Sequence, residues 1–310
     1  MKFKHTPIML NECIKGLKIK KGGIYVDCTL GGGGHSYEIL KNLDGGLLIG
    51  IDKDMDAINA SRMRLSKYSN KTKFINLDFK EYEKVLNDLD INYVDGILID
   101  LGISSYQVDS PDRGFSYMSD ARLDMRMDRQ QNFSAYNIVN EYSESELIRI
   151  LYNYGEEKYA KIIAKNIVEI RKMSEIERTG QLVDIIRKSY PANIRNKKSH
   201  PAKKTFQAIR IEVNKELSGL DNSIKSMIKS LNKGGRIVVI SFHSLEDRII
   251  KNVFKEESSE CVCDAEAPIC VCSKKASIKI INKKPIIPGS TEISLNTRSK
   301  SAKLRIAEKI

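Results

Sequence analysis

The feature that most constrains this chain is a set of four short apolar runs, each closed by an aspartate. Ile24–Val26 ends at Asp27, Leu47–Ile51 at Asp52, Phe74–Leu77 at Asp78 and Ile97–Ile99 at Asp100. Helix-like segments, Tyr37–Leu43 and Met55–Lys67, separate the first three, and Tyr82–Leu89 precedes the fourth. Strands that are apolar throughout are buried on both faces, so their alternation with helices predicts an α/β fold with a parallel sheet between two helical layers. Such sheets bind ligands beyond the carboxyl ends of their strands, where the four acids fall.

Between the first run and its helix lies Asp27-Cys28-Thr29-Leu30-Gly31-Gly32-Gly33-Gly34-His35-Ser36. Glycines let a ligand approach the backbone, and a helix beginning just beyond them offers free N–H groups to it. A tight turn with no ligand is the plainer reading. A dinucleotide needs G-x-G-x-x-G/A, but the sixth position is Ser36 counted from Gly31 and Tyr37 counted from Gly32. Asp27 would also repel a pyrophosphate, whereas it suits a ligand carrying an ammonium and a sulfonium. Asp52 is placed to accept both hydroxyls of a ribose; its alternative is a helix N-cap for Met55–Lys67. Phe79, after Asp78, would supply apolar contact to an adenine. These placements favour methyl transfer over hydride transfer.

The alternation then stops. Residues 103–135 are polar and loop-like; Ser143-Glu144-Ser145-Glu146 has capping-box form, and apolar residues at helical spacing follow through Ile186. Residues 106–204 are therefore predicted to form an all-helical insertion. One long helix from Phe206 to Leu231 should lead back to the sheet, followed by strands at Arg236–Phe242, Ile278–Ile281 and Ala302–Ile306. Residues 1–105 and 205–310 thus form one discontinuous domain with seven strands. A net charge of +12 favours a polyanionic partner such as nucleic acid, although a basic, non-binding surface has the same charge. No run is long enough to span a membrane, there is no signal-peptide pattern, and the six cysteines show no secreted disulfide framework, so a reducing cytoplasm is expected.

Several further blocks occur in order: Ile99-Asp100-Leu101-Gly102-Ile103-Ser104-Ser105-x-Gln107, Arg113-Gly114-Phe115-Ser116-Tyr117-Met118, Leu123-Asp124-Met125-Arg126-Met127-Asp128, Thr205-Phe206-Gln207-Ala208-Ile209-Arg210-Ile211 and Ser241-Phe242-His243-Ser244-Leu245-Glu246-Asp247-Arg248. With the glycine loop, these resemble the bacterial ribosomal RNA small-subunit methyltransferase H family (MraW type) from His5 to Glu308. The resemblance implies a Rossmann-like class I methyltransferase with a mostly parallel seven-stranded sheet. It further implies S-adenosylmethionine as methyl donor, and the N4 amine of cytidine 1402 of 16S rRNA, in the small ribosomal subunit, as acceptor. Carried over by position, the cofactor contacts are Gly33, Gly34, His35, Asp52, Phe79, Asp100 and Gln107, with Asp100 also the candidate catalytic group. Departures at Gly32, Tyr106, Val108, Arg122 and Arg298-Ser299-Lys300-Ser301 bear on local loop shape.

Candidate RNA contacts are Lys197, Lys198, Lys203 and Lys204, the densest basic cluster, with Arg113, Arg126, Arg210 and Arg248 in the polar blocks. A solvated linker is the other reading of the lysines, and a salt-bridge brace that of Arg126. His243 reads either as a substrate contact or as a structural histidine. Cys261-Val262-Cys263 and Cys270-Val271-Cys272 could hold a structural zinc or be free thiols, and the chemistry requires no catalytic metal. A DNA or small-molecule amine methyltransferase, and a non-catalytic RNA-binding module, are the competing classes. No feature fixes the oligomeric state; a homodimer is one assembly the chain allows.

Overall fold

A computed structural model describes residues 7–193, 200–261, 263, 272 and 274–310. The chain divides into two compact units, Met1–Gly102 with Ser218–Ile310, and Ile103–Leu217.

The first unit is built on seven strands: β1 (Ile24–Asp27), β2 (Leu47–Asp52), β3 (Thr72–Asn76), β4 (Val94–Asp100), β5 (Leu231–Ser241), β6 (Ile278–Ile280) and β7 (Lys303–Lys309). Their order across the sheet is β3-β2-β1-β4-β5-β7-β6. The first five pair in parallel, β7 is antiparallel to β5, and β6 is antiparallel to β7. This is the mostly parallel, Rossmann-like sheet expected. The chain runs outward from β1 to β3 and then returns to place β4 on the other side of β1. The connections after β1 and β4 therefore leave in opposite directions and open a crevice at the carboxyl edge, where such sheets bind ligands.

Alternate side chains of each strand enter different cores, because successive residues point to opposite faces. Val26, Ile49, Ile97, Ile99, Ile237 and Val239 meet the helices Tyr82–Asp88, Leu220–Lys229 and Ser244–Glu257. Tyr25, Leu48, Leu98, Val238 and Ile240 meet Leu10–Leu17 and Gly34–Asn42. Both faces are covered, which is why these strands show no polar alternation. No helix among the described residues is long and apolar enough to cross a membrane.

The second unit packs the helices Ala135–Glu141, Glu144–Asn153, Ala160–Arg171, Thr179–Ser189 and Ala202–Asn214 around Leu147, Ile150, Ile163, Ile167, Leu182, Ile186, Phe206 and Ile209. The capping box forms as expected: Glu146 accepts the Ser143 N–H at 2.8 Å, and Ser143 Oγ accepts the Glu146 N–H at 3.3 Å.

Three expectations need correction. The single helix from Phe206 to Leu231 is two helices, Ala202–Asn214 and Leu220–Lys229, parted by left-handed residues at Lys215 (φ 49°) and Gly219 (φ 72°). The apolar spacing runs across the break because the first helix buries Ile209 and Val213 in the core of the second unit, whereas the next buries Leu220, Ile224 and Ile228 in the first. Periodicity reports burial, and here two different cores supply it. In consequence the unit boundaries fall at 102/103 and 217/218 rather than at 105/106 and 204/205. Finally, the stretch read as a loop holds the helix Ser105–Asp109, too short to show a period.

Candidate functional site

The glycine loop takes the backbone values that demand glycine. Gly31 (φ 50°) and Gly33 (φ 68°) are left-handed, and Gly33 precedes the helix Gly34–Asn42. A Cβ on Gly33 would lie 2.8 Å from Ser61 Oγ, and one on Gly34 would lie 2.4 Å from Pro7 Cγ. Two of the strand-end acids hold this loop in place. Asp27 accepts Ser36 Oγ–H at 2.7 Å and the Thr29 N–H at 3.3 Å. Asp52 accepts the Gly31 N–H at 2.8 Å and the Asp54 N–H at 2.9 Å. Ser61 Oγ donates to the Gly31 carbonyl at 2.9 Å, closing the cradle from the neighbouring helix. The N-cap role open to Asp52 belongs instead to Asp54, whose carboxylate accepts the Asp56 N–H at 3.0 Å.

Burial makes these carboxyls reluctant to ionise. It pushes both Asp27 and Asp52 up to about 6, against the hydrogen bonds that lower them. Asp100 is raised well above the ordinary range, first by burial and then by the charges of Asp27 and Glu246. The Asp100 N–H donates to Thr29 Oγ1 at 2.6 Å, tying the end of β4 to the loop. Its Oδ1 is buried and makes no hydrogen bond, and its Oδ2 lies 3.9 Å from His35 Nδ1. His35 is buried, and that burial lowers its pKa to about 4, so the ring is neutral near pH 7. Nε2 lies 3.0 Å from the Ile8 carbonyl and must donate to it, which leaves a lone pair on Nδ1 facing Asp100. Acids whose ionisation is opposed by burial, one with an unmet oxygen, form a donor set suited to a cationic ligand.

Of the residues expected to bind cofactor, Gly33, Gly34, His35, Asp52 and Asp100 thus gather at the carboxyl ends of β1, β2 and β4. Phe79 follows β3 in a turn capped by Asp78, which accepts the Lys80 N–H at 3.0 Å, and packs against the core that contains Val26 and Ile49. Gln107 belongs to the second unit, where it is buried and its Oε1 accepts the Ser104 N–H at 3.0 Å, closing a capping box for Ser105–Asp109. Sequence reasoning did not assign roles to Thr29, Ser36 and Ser61. The first two stand inside the glycine motif, but no spacing rule marks a hydroxyl as a latch.

The sequence profile of the MraW methylase family matches residues 2–310. The chain belongs to the MraW methylase family. It is 57% identical to the ribosomal RNA small subunit methyltransferase H of Clostridium botulinum (strain Loch Maree / Type A3), over 100% of both chains. The protein of the same name from Clostridioides difficile (strain 630) is 53% identical, again over 100% of both. A solved rRNA methylase from Streptococcus thermophilus has a TM-score of 0.41 at 10% identity, over 100% of this chain and 99% of that one, a likeness that adds nothing to the assignment.

In this MraW methylase the arginines expected to contact RNA are largely committed within the protein. Arg113 is 1% exposed and donates from Nη2 to the carbonyls of Arg126 and Met127, both at 3.0 Å. Arg126 grips Asp124 through Nε and Nη2, each at 2.8 Å, which is the brace reading of that motif. Arg210 grips Glu216 in the same two-pronged way at 2.8 Å, with both side chains largely buried. Bidentate pairs of this kind hold loops, so Arg126 and Arg210 take the brace arrangement, and Arg113 is spent on backbone carbonyls. Lys203, Lys204 and Arg248 are exposed, Lys204 donating to the Glu156 carbonyl at 2.7 Å. Lys197 and Lys198 lie outside the described residues. His243 stands at the start of the helix Ser244–Glu257, and its Nδ1 accepts the Glu246 N–H at 3.4 Å, a capping arrangement.

Proposed function

We propose that this methyltransferase moves a methyl group from S-adenosylmethionine to the exocyclic N4 amine of a cytidine in 16S rRNA, cytidine 1402 by resemblance. Membership of the MraW methylase family and the full-length relatives named for small-subunit ribosomal RNA support the methyl transfer and the RNA. The observation that carries the amine chemistry is Asp100, a carboxyl at the end of β4 whose Oδ1 is buried and unpartnered at the mouth of the crevice.

S-adenosylmethionine, when bound, supplies an electrophilic methyl on a cationic sulfur. Gly33, Gly34 and His35 would receive it at the helix start, where no side chain stands between ligand and backbone. A carboxylate has about four acceptor positions, and Asp52 uses two on Gly31 and Asp54, so two remain for ribose hydroxyls. Phe79 offers an apolar face to the adenine, and Gln107 completes the set carried over from the family. Asp100 acts first on the ligand's positive charge and second as the acceptor of a proton from the amine. A cytosine amine is a weak nucleophile because its lone pair is drawn into the ring, and an acceptor on N4–H opposes that withdrawal. Holding the reacting atoms in line is the larger contribution, worth roughly 7–11 kcal/mol in favourable cases. The target base must be unstacked to reach the crevice. The second unit, with Lys203, Lys204 and the flanking Lys197 and Lys198, is assigned to RNA recognition, and Arg248 on the first unit is assigned with it.

The test is mass mapping of 16S rRNA from a strain lacking the protein, complemented with the wild type or with Asp100→Ala. N4-methylcytidine should be absent from the deletion, return with the wild type and stay absent with the variant. Its persistence in the deletion strain would overturn the assignment of substrate. Full restoration by Asp100→Ala would remove Asp100 from both of its roles.

A further inference from the structure

We propose that Cys261, Cys263 and Cys272 bind a structural Zn²⁺ ion that fastens the connection between the helix Ser244–Glu257 and β6. The three Sγ atoms lie within 4.8 Å of one another. Cys261 and Cys272 Sγ are 3.8 Å apart. Two sulfurs at the Zn–S distance of about 2.3 Å and the tetrahedral angle are separated by about 3.8 Å, so this pair has the edge length of a tetrahedral thiolate site. A disulfide would need the two sulfurs at about 2.05 Å. The Cys263 N–H donates to Cys261 Sγ at 3.3 Å, the kind of backbone hydrogen bond that orients a metal-bound thiolate and spreads its charge.

The surrounding chain gives the ion something to do. The connection leaves the helix at Ser258 and returns at Ser277, whose N–H donates to the Glu257 carbonyl at 2.8 Å. Its two ends are thus pinned together, yet no described residue between them contributes to a hydrophobic core. The described part of the connection is thus not held by apolar packing, and a loop of this length is ordinarily tied down by some other means. A closed-shell metal on three thiolates, with a water or one further ligand at the fourth tetrahedral position, supplies that hold without entering the methyl-transfer chemistry. Zinc is favoured over harder cations because all three ligands are soft sulfurs. Cys270 completes two Cys-x-Cys pairs in the sequence but lies outside the described residues, and the proposal rests on the three thiols described.

The experiment uses the intact chain, purified without chelator from zinc-supplemented cells, with metal measured by inductively coupled plasma mass spectrometry. One zinc per chain is expected in the wild type, falling at least about tenfold in Cys261→Ser/Cys272→Ser. Independently of any variant, wild type stripped of metal should take up one Co²⁺, with strong thiolate-to-cobalt charge-transfer absorption, and zinc should displace it. It should also resist protease between Ser258 and Ser277 only when metal is restored. The proposal fails if freshly purified wild type holds no zinc and takes up no cobalt. It fails equally if the double variant retains full zinc, if the metal found is iron, or if intact mass shows Cys261 and Cys272 joined as a disulfide.

Discussion

Asp27→Asn isolates the electrostatics of the crevice. The Asp27 carboxyl is 1% exposed, and burial raises it to about 6 from an ordinary value of 3.8. The folded protein therefore holds this proton about two units more firmly than the unfolded chain. At 1.36 kcal/mol per unit, the stability this contributes is fully present below about pH 4 and is lost as pH rises through about 6, a change of about 3 kcal/mol. Asparagine keeps the shape and both contacts: its amide oxygen can accept the Thr29 N–H, and its NH₂ can donate to Ser36 Oγ, which is able to reverse its role. It does not ionise. The variant should therefore gain on the wild type by about 3 kcal/mol between pH 4 and pH 7, with a plateau on either side. Asp52, raised to about 6 chiefly by burial, is also raised by the Asp27 charge, so the variant lets it ionise at lower pH and adds to the gain in the same pH window. Urea unfolding followed by far-ultraviolet circular dichroism at half-unit pH steps gives the measurement, since a chain with no tryptophan has a weak fluorescence signal. A stability difference that stays flat from pH 4 to pH 8, or that turns against asparagine as pH rises, would refute the reasoning. Because Asp27 is one of the two charges that raise Asp100, the same variant should ionise Asp100 at lower pH.

Gly46→Ala should cost at least about 2 kcal/mol, because φ is +74° and the new Cβ would lie 2.1 Å from the immovable Gly23 carbonyl; Gly289→Ala, with nothing within 4 Å, should stay within about 0.5 kcal/mol, and thermal melts compare the two. Asp124→Ala strips Arg126 of both carboxylate contacts in a partly buried site and should destabilise the protein by about 3 kcal/mol in urea titrations, whereas a change near zero would remove the brace reading and return Arg126 to the candidate RNA contacts. Replacing Lys197, Lys198, Lys203 and Lys204 by Gln should weaken RNA binding and lower the slope of log affinity against log salt by about 0.7–0.9 for each phosphate no longer neutralised, measured by fluorescence anisotropy; an unchanged slope would make the cluster a solvated linker.

The carboxyl-edge site was readable in the sequence because its parts are local. An apolar run buried on both faces announces itself by composition, and the residue that ends it lies at the strand's carboxyl end by the geometry of a parallel sheet. Asp27, Asp52 and Asp100 could thus be placed from the sequence, and the failed G-x-G-x-x-G register turned the loop away from a dinucleotide. The order of the strands was not local. Nothing in the spacing says that β4 returns to lie against β1, although that reversal creates the crevice.

The arginines mark the clearest limit. In the sequence Arg113, Arg126 and Arg210 are charges within polar blocks, indistinguishable from phosphate ligands. Their partners are Met127, Asp124 and Glu216, and only the folded chain decides that the first is buried and the other two are engaged by both prongs of a carboxylate. Charge is a property of a residue, whereas availability of that charge depends on what packs around it. The same distinction divides the apparent long helix: apolar spacing is written along the chain, but which core each turn enters is settled by tertiary packing. Sequence alone therefore determined the strands, the acids at their ends and the glycine cradle. The tertiary structure decided which acids are spent on holding that cradle and which, like Asp100, keep an oxygen unspent, because burial and hydrogen-bond partners come from residues far apart in the chain.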